Sequence, residues 1–422
     1  MKSTIQSVKG TRDYYPADMA VRNFLYQTAR NVSESFGYQE WDAPFLEAVE
    51  LYSAKSGEEL VKQNFVFPDR GGDLITLRPE LTPSLARLVA QRQKQLVYPL
   101  RWWSWGPFWR YERPQKGRTR EFFQWNIDLI GVDTPEADAE MVAIAATFLR
   151  EAGLSADQVN ILVNNRQLVE AELAALDIPV ELRKEVFRLI DRLDKLSASQ
   201  WEAYAAEIGL AASQIEGLKA ILANDELWRK SPELTACFTL IEALGLKPYV
   251  RFAPYIIRGL DYYTGTVFEA WDKDGEFRAF LGGGRYDNLV ADVGGEPLPA
   301  VGFAMGDLVI SLALKKFAVL PATLGASPAQ VLVTLFDPAC LTSSFQVASS
   351  LRQAGIPTAL YPEVSKLSKQ FKFGDRMGMR FALVIGPDEQ AQNAVALKDL
   401  KTGEQRLVPQ AQLVEVIRKL IE

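Results

Sequence analysis

The chain has 422 residues, of which 48% are hydrophobic and 24% charged, and this composition excludes a disordered or fibrous protein. It contains no histidine and two cysteines, which excludes a metal site built from His or Cys, a Ser-His-Asp triad and a structural zinc site. The net charge of −6 excludes a globally basic coat for nucleic acid, so such contacts must come from local patches. The chain also lacks a membrane-length apolar run, and its first ten residues lack the apolar core of a signal peptide, so we expect a cytoplasmic protein without a membrane partner.

The first 320 residues combine strands and helices without regular alternation, which favours an α+β domain. Helices are predicted at Met19–Phe36 and Pro135–Ala152. Strands are predicted between these two helices, at Phe65–Phe67, Leu74–Leu77, Trp102–Trp105, Phe108–Tyr111 and Glu121–Ile130. Residues 166–247 are rich in Ala, Leu, Glu and Lys and predict a helical insertion. Strand patterns then return at Arg251–Ile257, Thr266–Trp271 and Phe277–Phe280.

The uncharged, proline-containing segment Leu320–Pro328 predicts a linker, which divides the chain into domains of residues 1–320 and 329–422. After it, strands and helices alternate regularly. Strands are expected at Val331–Phe336, Thr358–Tyr361, Ala382–Ile385 and Ala394–Leu397, and helices at Ser343–Gly355, Lys366–Gly378 and Gln410–Ile421. This alternation favours a small α/β domain with a mostly parallel sheet.

The densest group of candidate functional residues lies between Arg110 and Asp128. Five basic residues fall within the eleven positions from Arg110 to Arg120, and Pro114 and Gly117 predict a turn between two strands. Guanidinium groups bind phosphate oxygens bidentately, so such a hairpin can hold a polyphosphate. A solvated charged hairpin is the alternative, although the aromatic residues between the basic ones favour burial of one face.

Three further segments can contribute to a ligand site. Leu77–Pro83 carries Glu80 and Thr82, which can bind an ammonium group, although Thr82 can equally be a helix N-cap. Arg258–Gly265 places an arginine, which can stabilise developing negative charge, ahead of two tyrosines; a tight turn with half-buried tyrosines is the alternative. Gly282–Asp287 begins with three glycines, which permit close approach of a ligand to the backbone but often only mark a bulge.

A basic helix face is predicted in the C-terminal part of the chain. Its members are spaced three, three and four residues apart, at Lys366, Lys369, Lys372 and Arg376. A solvated face is the usual interpretation of such a pattern. A contact with the phosphate backbone of a nucleic acid is the functional one.

Taken together, these segments resemble the histidyl-tRNA synthetases, a family of class II aminoacyl-tRNA synthetases. The resemblance extends from Lys9 almost to Glu422. The hairpin Arg110–Gln124 is similar to the class II motif 2, and the surroundings of Pro44 and Glu47 are similar to the weaker motif 1. Two segments resemble the histidine-specific signatures of the family, Arg258–Gly265 and Gly283–Tyr286.

The resemblance implies a catalytic domain with an antiparallel sheet, flanking helices and a helical insertion, followed by a C-terminal α/β anticodon-binding domain. It implies a ligase that activates L-histidine with ATP and Mg²⁺ and transfers it to the 3′ end of tRNA(His). It also implies a homodimer formed through motif 1. Adenylate formation needs positioning and charge stabilisation and no protein nucleophile, which agrees with a chain without histidine.

The resemblance further implies roles for individual residues. Arg110 is expected to bind the α-phosphate of ATP, Glu112 the adenine and Arg118 the distal phosphates. Arg258 is expected to stabilise the α-phosphorus during attack, so that Arg258 and Arg110 are the catalytic residues. Histidine is expected to contact Glu80, Leu81, Thr82, Gln124, Asp128, Tyr262, Tyr263 and Tyr286. The tRNA is expected to contact Gln115, Lys116, Lys366, Lys369, Lys372 and Arg376.

Two positions depart from the family pattern. The segment Gly302–Ile310 is similar to motif 3, but Val309 stands where most members carry an arginine that grips the terminal phosphate. Arg118 and Arg120 are then the expected ligands of the distal phosphates. Asp128 stands where a glutamate is common. The main alternative is a non-catalytic paralogue that senses histidine or regulates its biosynthesis; such relatives usually lose the histidine signatures and the C-terminal domain, which this chain retains.

Overall fold

The computed structural model describes residues 5–53, 63–193, 195–258, 262–322 and 324–421. The chain divides into two compact units: the first ends at Pro321, and the second comprises Ala322 onwards together with Pro16–Asp18. Among the helices in these ranges, none combines the length and the apolar character needed to cross a membrane.

The first unit is built on β-sheet. Its described strands are, in chain order, β1 (Gln39–Glu40), β2 (Leu46–Ala48), β3 (Phe65–Pro68), β4 (Leu74–Leu77), β5 (Leu100–Trp109), β6 (Glu121–Ile130), β7 (Val159–Asn165), β8 (Val250–Phe252), β9 (Thr266–Asp272), β10 (Leu281–Arg285) and β11 (Ala300–Gly306). Over the described residues, eight of them form one sheet in the order β1-β5-β6-β11-β10-β9-β7-β8. Its central pairs are antiparallel, while the outermost pairs, β1 with β5 and β7 with β8, are parallel. A smaller antiparallel sheet has the order β2-β4-β3.

Helices flank this sheet. In chain order they are α1 (Pro16–Ser35), α2 (Glu50–Ser53), α3 (Thr82–Arg92), α4 (Pro135–Glu151), α5 (Arg166–Ala175), α6 (Val180–Ile190), α7 (Ala198–Glu207), α8 (Ala212–Leu222), α9 (Pro232–Ala243), α10 (Leu289–Asp292) and α11 (Asp307–Lys316). Helices α5 to α8 supply most of a separate apolar core, which identifies the predicted helical insertion as a small bundle. The predicted strand-free character of this stretch is confirmed for its described residues.

The two faces of β6 have different surroundings, and this difference positions the site. Trp125, Ile127 and Leu129 are almost fully buried and belong to the main apolar core, where the Trp125 ring lies 5.0 Å from that of Phe148 on α4. Burial of each such side chain contributes about 1.5–3 kcal/mol. Since side chains alternate along a strand, the residues between them project from the opposite face of the sheet. The core therefore fixes which face of β6 carries its polar residues.

The second unit contains the strands β12 (Val331–Val333), β13 (Thr358–Leu360), β14 (Phe381–Val384), β15 (Ala394–Asp399) and β16 (Gln405–Pro409). Its helices are α12 (Leu341–Gln353), α13 (Leu367–Arg376), α14 (Pro387–Ala391) and α15 (Leu413–Ile421). The strand order within the described part is β13-β12-β14-β15-β16, with β12 parallel to both neighbours and the other two pairs antiparallel. The predicted α/β alternation is confirmed, but the sheet is mixed instead of mostly parallel.

Some predicted elements are wrong in detail. The two strands predicted at Trp102–Trp105 and Phe108–Tyr111 are one continuous strand, β5, that pairs with β6 along its whole length. The strand predicted at Phe277–Phe280 is irregular chain, and the strand β7 was not predicted at all. The glycines Gly282 to Gly284 lie inside a regular strand and do not mark a bulge. Glycine is needed at position 283 because a Cβ there would lie 2.2 Å from the Gly302 carbonyl oxygen.

Candidate active site

The polar face of β6 borders a cavity of about 280 Å³. Gln124, Asn126 and Asp128 contribute from this strand at alternate positions, as the pleat of a strand requires. The other lining residues come from five separate segments of the first unit: Glu80, Thr82, Arg110, Arg258, Tyr262, Tyr263, Gly282, Tyr286, Gly302, Phe303 and Ala304. The structure therefore brings together the predicted histidine-binding residues other than Leu81, together with both predicted catalytic arginines.

Asp128 is the buried acidic group of this cavity. Its side chain accepts a hydrogen bond from the Tyr286 hydroxyl, and Gly302 lies opposite it on β11, where a Cβ would lie 2.2 Å from Asp128 Oδ1. Burial raises the pKa of Asp128 to about 7, while the hydrogen bond from Tyr286 acts in the opposite direction. The carboxyl group can therefore exchange a proton near neutral pH and can accept a hydrogen bond from a ligand N–H.

Three tyrosines line the same cavity as this carboxyl group. The ring centroids of Tyr262 and Tyr263 are 4.7 Å apart, and those of Tyr262 and Tyr286 are 6.1 Å apart. Burial raises the pKa of Tyr262 and of Tyr286 well above the ordinary value for tyrosine. Their hydroxyl groups therefore stay neutral and act as hydrogen-bond donors and acceptors in a pocket with aromatic walls.

Arg258 reaches into the cavity from an unusual backbone conformation. Its φ angle is 55°, in the left-handed region that costs a non-glycine residue free energy. Its Nη1 donates to Glu269 Oε1 at 3.1 Å, and its Nε is buried without a hydrogen-bond partner among the described groups. Gly282 makes room for it, since a Cβ there would lie 1.3 Å from Nη1. The guanidinium is thus held at the cavity wall with unused hydrogen-bonding capacity.

Glu80 and Thr82 lie where the chain enters α3. Just before them, the fully buried Arg78 pairs with Asp42 at 2.6 Å and also donates to the Pro107 carbonyl oxygen. Thr82 is the first residue of α3, whereas Leu81 occupies the N-cap position, so the alternative of an N-cap at Thr82 is wrong. The Leu81 side chain is buried with Ala43 and Phe108 instead of lining the cavity. The structure therefore does not place the Leu81 side chain in the cavity where histidine is expected.

The motif 1 residue Glu47 is hydrogen-bonded to the first turns of α3. It is 9% exposed and accepts hydrogen bonds from Ser84 at 2.8 Å and from Arg87 at 2.7 Å, both on the helix. These bonds fix the first turns of α3 and therefore the position of Thr82.

A second cavity, of about 150 Å³, adjoins the first. Arg110 and Gln124 line both cavities, so the two share a wall. The remaining lining residues of the second cavity are Glu112, Gly117, Arg118, Thr119, Phe122, Arg278, Ala279, Phe280, Gly306, Asp307, Leu308 and Val309. Three arginines and two carboxylates thus contribute to its charge.

The motif 2 residues of this second cavity are connected to each other. Arg118 Nη1 pairs with Glu112 Oε2 at 2.9 Å. Arg110 donates from Nε to the Pro79 carbonyl oxygen at 2.9 Å, and its guanidinium lies 5.2 Å from the centre of the Phe122 ring. Arg120 does not line the cavity: it stacks on Tyr111 and donates to the Glu112 and Lys9 carbonyl oxygens. Its expected role as a ligand of the distal phosphates is therefore corrected.

The motif 3 segment closes the same cavity. Asp307, the first residue of α11, is 2% exposed; it pairs with Arg12 at 2.8 Å and accepts from the Phe123 amide at 3.0 Å. These contacts tie the start of α11 to β6 and to the N-terminal segment. Val309 lines the cavity with an apolar side chain, close to Gly117 at the tip of the motif 2 loop. The other cavity carboxylate, Glu112, is paired with Arg118.

Two cavity residues were missed by the sequence analysis. Asn126 is 5% exposed, and its Nδ2 has no hydrogen-bond partner among the described groups. The alternation that places Gln124 and Asp128 on one face of β6 could have identified it. Arg278 lies in the irregular connection between β9 and β10, where no periodic pattern marks it.

The predicted tRNA contacts lie outside both cavities. Lys116 pairs with Glu276 at 3.2 Å, and Gln115 bridges to Arg118 in the motif 2 loop. In the second unit the four basic residues are exposed, three of them on α13 and Lys366 at its N-cap, which confirms the predicted helix face. In the part of the chain that the structure describes, no three His, Cys, Asp or Glu side chains are grouped to hold a metal ion.

Comparison with known proteins identifies the family. Residues 10–307 match the family described as Histidyl-tRNA synthetase, and residues 330–420 match the family described as Anticodon binding domain. Relatives named Histidine--tRNA ligase include one from Opitutus terrae, 37% identical over 99% of this chain and 98% of the relative. A second, from Thermoplasma volcanium, is 38% identical over 98% of this chain and 99% of the relative. The crystal structure of histidyl-tRNA synthetase from Nostoc sp. PCC 7120 superposes with a TM-score of 0.86, at 27% identity, and the match covers 99% of this chain and 100% of that one. The chain therefore belongs to the histidyl-tRNA synthetase family.

Proposed function

We propose that this histidine–tRNA ligase forms histidyl-adenylate at the two adjoining cavities, with L-histidine in the larger cavity and ATP in the smaller. The observation that carries the proposal is their shared wall, formed by Arg110 and Gln124. A carboxylate bound in the first cavity and an α-phosphate bound in the second would meet there. Holding two reactants in such a geometry supplies much of the acceleration of a bimolecular reaction.

Histidine is a zwitterion with a third polar group, and the larger cavity contains a complement for each. Glu80, Thr82 and Gln124 would bind the α-ammonium group, and Asp128 would accept a hydrogen bond from an imidazole N–H. Tyr263 and Tyr286 would face the ring. The unpartnered Nδ2 of Asn126 is a further donor for the substrate. A ligand without the imidazole N–H would leave the buried Asp128 unpaired, which is the basis for rejecting other amino acids.

The smaller cavity offers cationic groups to a triphosphate. Arg110 would bind the α-phosphate, Glu112 would accept from the adenine amino group, and Arg118 would bind the distal phosphates. Arg118 Nη1 pairs with Glu112, and the other N–H groups of its guanidinium would be the donors to phosphate oxygens. The Phe122 ring, which also lines the cavity, can stack on the base.

The reaction requires no general base from the protein. A carboxylate oxygen of histidine forms a bond to the α-phosphorus, and the bond from that phosphorus to the bridging oxygen breaks as pyrophosphate leaves. Arg258 and Arg110 would stabilise the charge that develops on the α-phosphate. Mg²⁺, when bound, would neutralise phosphate charge. The cavity carboxylates Glu112 and Asp307 are both paired, so the residues present fit a Mg²⁺ ion held mainly through phosphate oxygens.

The remaining parts of the chain would serve tRNA binding and assembly. We propose residues 1–320 as the catalytic domain and 329–422 as the anticodon-binding domain, whose basic face on α13 would contact the tRNA backbone. Around the small sheet near motif 1, several apolar side chains are exposed: Phe45, Leu46, Val66, Phe67 and Leu74. An apolar patch of this kind favours a homodimer formed through this surface. Analytical ultracentrifugation would detect such a dimer.

Amino-acid-dependent exchange between ATP and labelled pyrophosphate tests this function directly. We expect the purified chain to catalyse exchange with L-histidine and with none of the other nineteen amino acids. Histidine binding without exchange in the presence of ATP and Mg²⁺ would instead identify a histidine sensor, the alternative that no observation favours.

A further inference from the structure

The backbone at Arg278 is held in a defined position at the wall of the smaller cavity. It lies on the connection between β9 and β10, next to two other lining residues, Ala279 and Phe280. On one side, the buried Phe277 donates its amide to Asp272 Oδ1 at 3.0 Å. On the other, the buried Phe280 donates its amide to the Ala270 carbonyl oxygen at 2.8 Å. The backbone that carries Arg278 is thus anchored at both ends.

No direct contact within the described residues neutralises the charge of Arg278. None of the described residues forms an ion pair or a hydrogen bond with its side chain, which is exposed to solvent in the cavity. Arg118 pairs with Glu112, and Arg12 pairs with Asp307, so both carboxylates of the cavity already have cationic partners. Partial burial and the nearby charges of Arg118 and Arg110 lower the pKa of Arg278, while Glu112 and Glu269 act in the opposite direction. An anion entering this cavity would relieve the repulsion among these arginines.

Apart from Arg118, the other expected ligands of the distal phosphates do not supply a cation to this cavity. Val309 is apolar, and a Cβ at Gly117 would lie 3.6 Å from its Cγ2, so the loop tip and α11 meet there through apolar atoms. Arg120 is occupied by Tyr111 and by backbone carbonyl groups outside the cavity.

We propose that Arg278 binds the β- and γ-phosphates of ATP and the departing pyrophosphate, and so supplies the cation that Val309 cannot. The inference rests on the proposed location of ATP in the smaller cavity. When the histidine carboxylate bonds to the α-phosphorus and the bridging oxygen leaves with the β-phosphate, negative charge accumulates on the pyrophosphate. A guanidinium matches phosphate oxygens bidentately, so Arg278 would hold the leaving group without transferring a proton.

Arg278→Ala and Arg278→Lys test this role in the histidine-dependent exchange assay. We expect Arg278→Ala to raise the KM for ATP and the KM for pyrophosphate by roughly 10- to 100-fold each, the scale of a lost charged hydrogen bond. Inhibition by AMP, which lacks the distal phosphates, and the KM for histidine should change less than about threefold. Arg278→Lys keeps the positive charge but loses the bidentate geometry of the guanidinium. Its KM values should therefore lie between those of the alanine variant and those of the wild type.

Lys273→Ala is the matched control, since Lys273 is an exposed cation on the same connection and does not line the cavity. It should leave the KM values for ATP and pyrophosphate unchanged. If wild-type protein catalyses exchange and Arg278→Ala has normal KM values for both, the inference about Arg278 is wrong while the proposed function stands. An equal loss of AMP and pyrophosphate binding would also overturn it, because that pattern indicates a distorted cavity. Absence of exchange in the wild type would contradict the proposed function itself.

Discussion

The carboxyl group of Asp128 links histidine recognition to the stability of the fold. Burial raises its pKa from 3.8 to about 7, and the unfolded chain keeps the ordinary value. Because the folded pKa is the higher one, the favourable contribution of the protonated group is complete below about pH 4 and is lost as pH rises through 7. A pKa difference of about three corresponds to about 4 kcal/mol, so above pH 7 the buried charge costs the folded state up to that amount.

Replacing Asp128 by asparagine removes this charge and keeps an acceptor for the Tyr286 hydroxyl. The new amide adds a buried donor, whose cost is about 1–3 kcal/mol if it finds no partner. We therefore expect Asp128→Asn to unfold at a higher temperature than wild type at pH 8.5, and at the same or a lower temperature at pH 5. Parallel thermal unfolding of both proteins between these pH values measures the difference, and Asp157→Asn, at an exposed carboxylate, is the control.

The same substitution should damage catalysis although it stabilises the fold at alkaline pH. An amide in place of the carboxylate removes the charged acceptor for the imidazole N–H, and we expect kcat/KM for histidine to fall about 100-fold or more. A stability difference that stays constant from pH 5 to 8.5 would refute the reasoning about the buried charge. Unchanged histidine kinetics would refute the assignment of the imidazole to this carboxyl group.

Two further predictions concern the reaction and the tRNA. Arg258→Ala should lower the rate of adenylate formation by about two or more orders of magnitude, with a much smaller change in histidine affinity; near-normal turnover would remove Arg258 from the mechanism. Removal of the residues after Leu320 should leave pyrophosphate exchange measurable and impair aminoacylation of tRNA, and charging by the full chain should weaken as salt rises. Unchanged charging by the truncated chain would show that the second unit is not needed for tRNA recognition.

The sequence predicted those parts of the fold whose residue pattern matches their local surroundings. Strand β6 follows its alternation from Glu121 to Ile130, because one face enters the core and the other carries polar residues. Strand β7 has no alternation of polar and apolar residues, since Val159–Asn165 is buried on both faces. Its three asparagines also make it unlike a buried apolar strand, so the sequence pattern does not predict it. Strand β10 contains three glycines that weaken any strand prediction. Glycine is needed in this strand because Arg258 and β11 occupy the space where Cβ atoms would lie. Both are distant in sequence, so no local pattern explains the glycines.

In the candidate site, too, residues with a local sequence pattern could be predicted and residues placed only by the fold could not. Residues that lie in compact motifs, such as Arg110 and Gln124, were identified because several functional side chains follow each other within a short segment. Arg278 was missed, because a single arginine in an irregular connection has no local pattern, and only the fold places it beside Arg118. Asn126 lay within a motif and was overlooked, although its position between two predicted ligands on β6 was sufficient to include it.

The most direct test of the account is a crystal structure of the protein with histidinol, ATP and Mg²⁺, in which the missing carboxylate prevents the reaction. We predict the imidazole ring between Asp128 and the tyrosines of the larger cavity. We predict the adenine at Glu112, the α-phosphate at Arg110 on the shared wall, and the distal phosphates between Arg118 and Arg278. An imidazole ring bound away from Asp128, or a triphosphate outside the smaller cavity, would contradict the central claim that these two cavities hold the reactants.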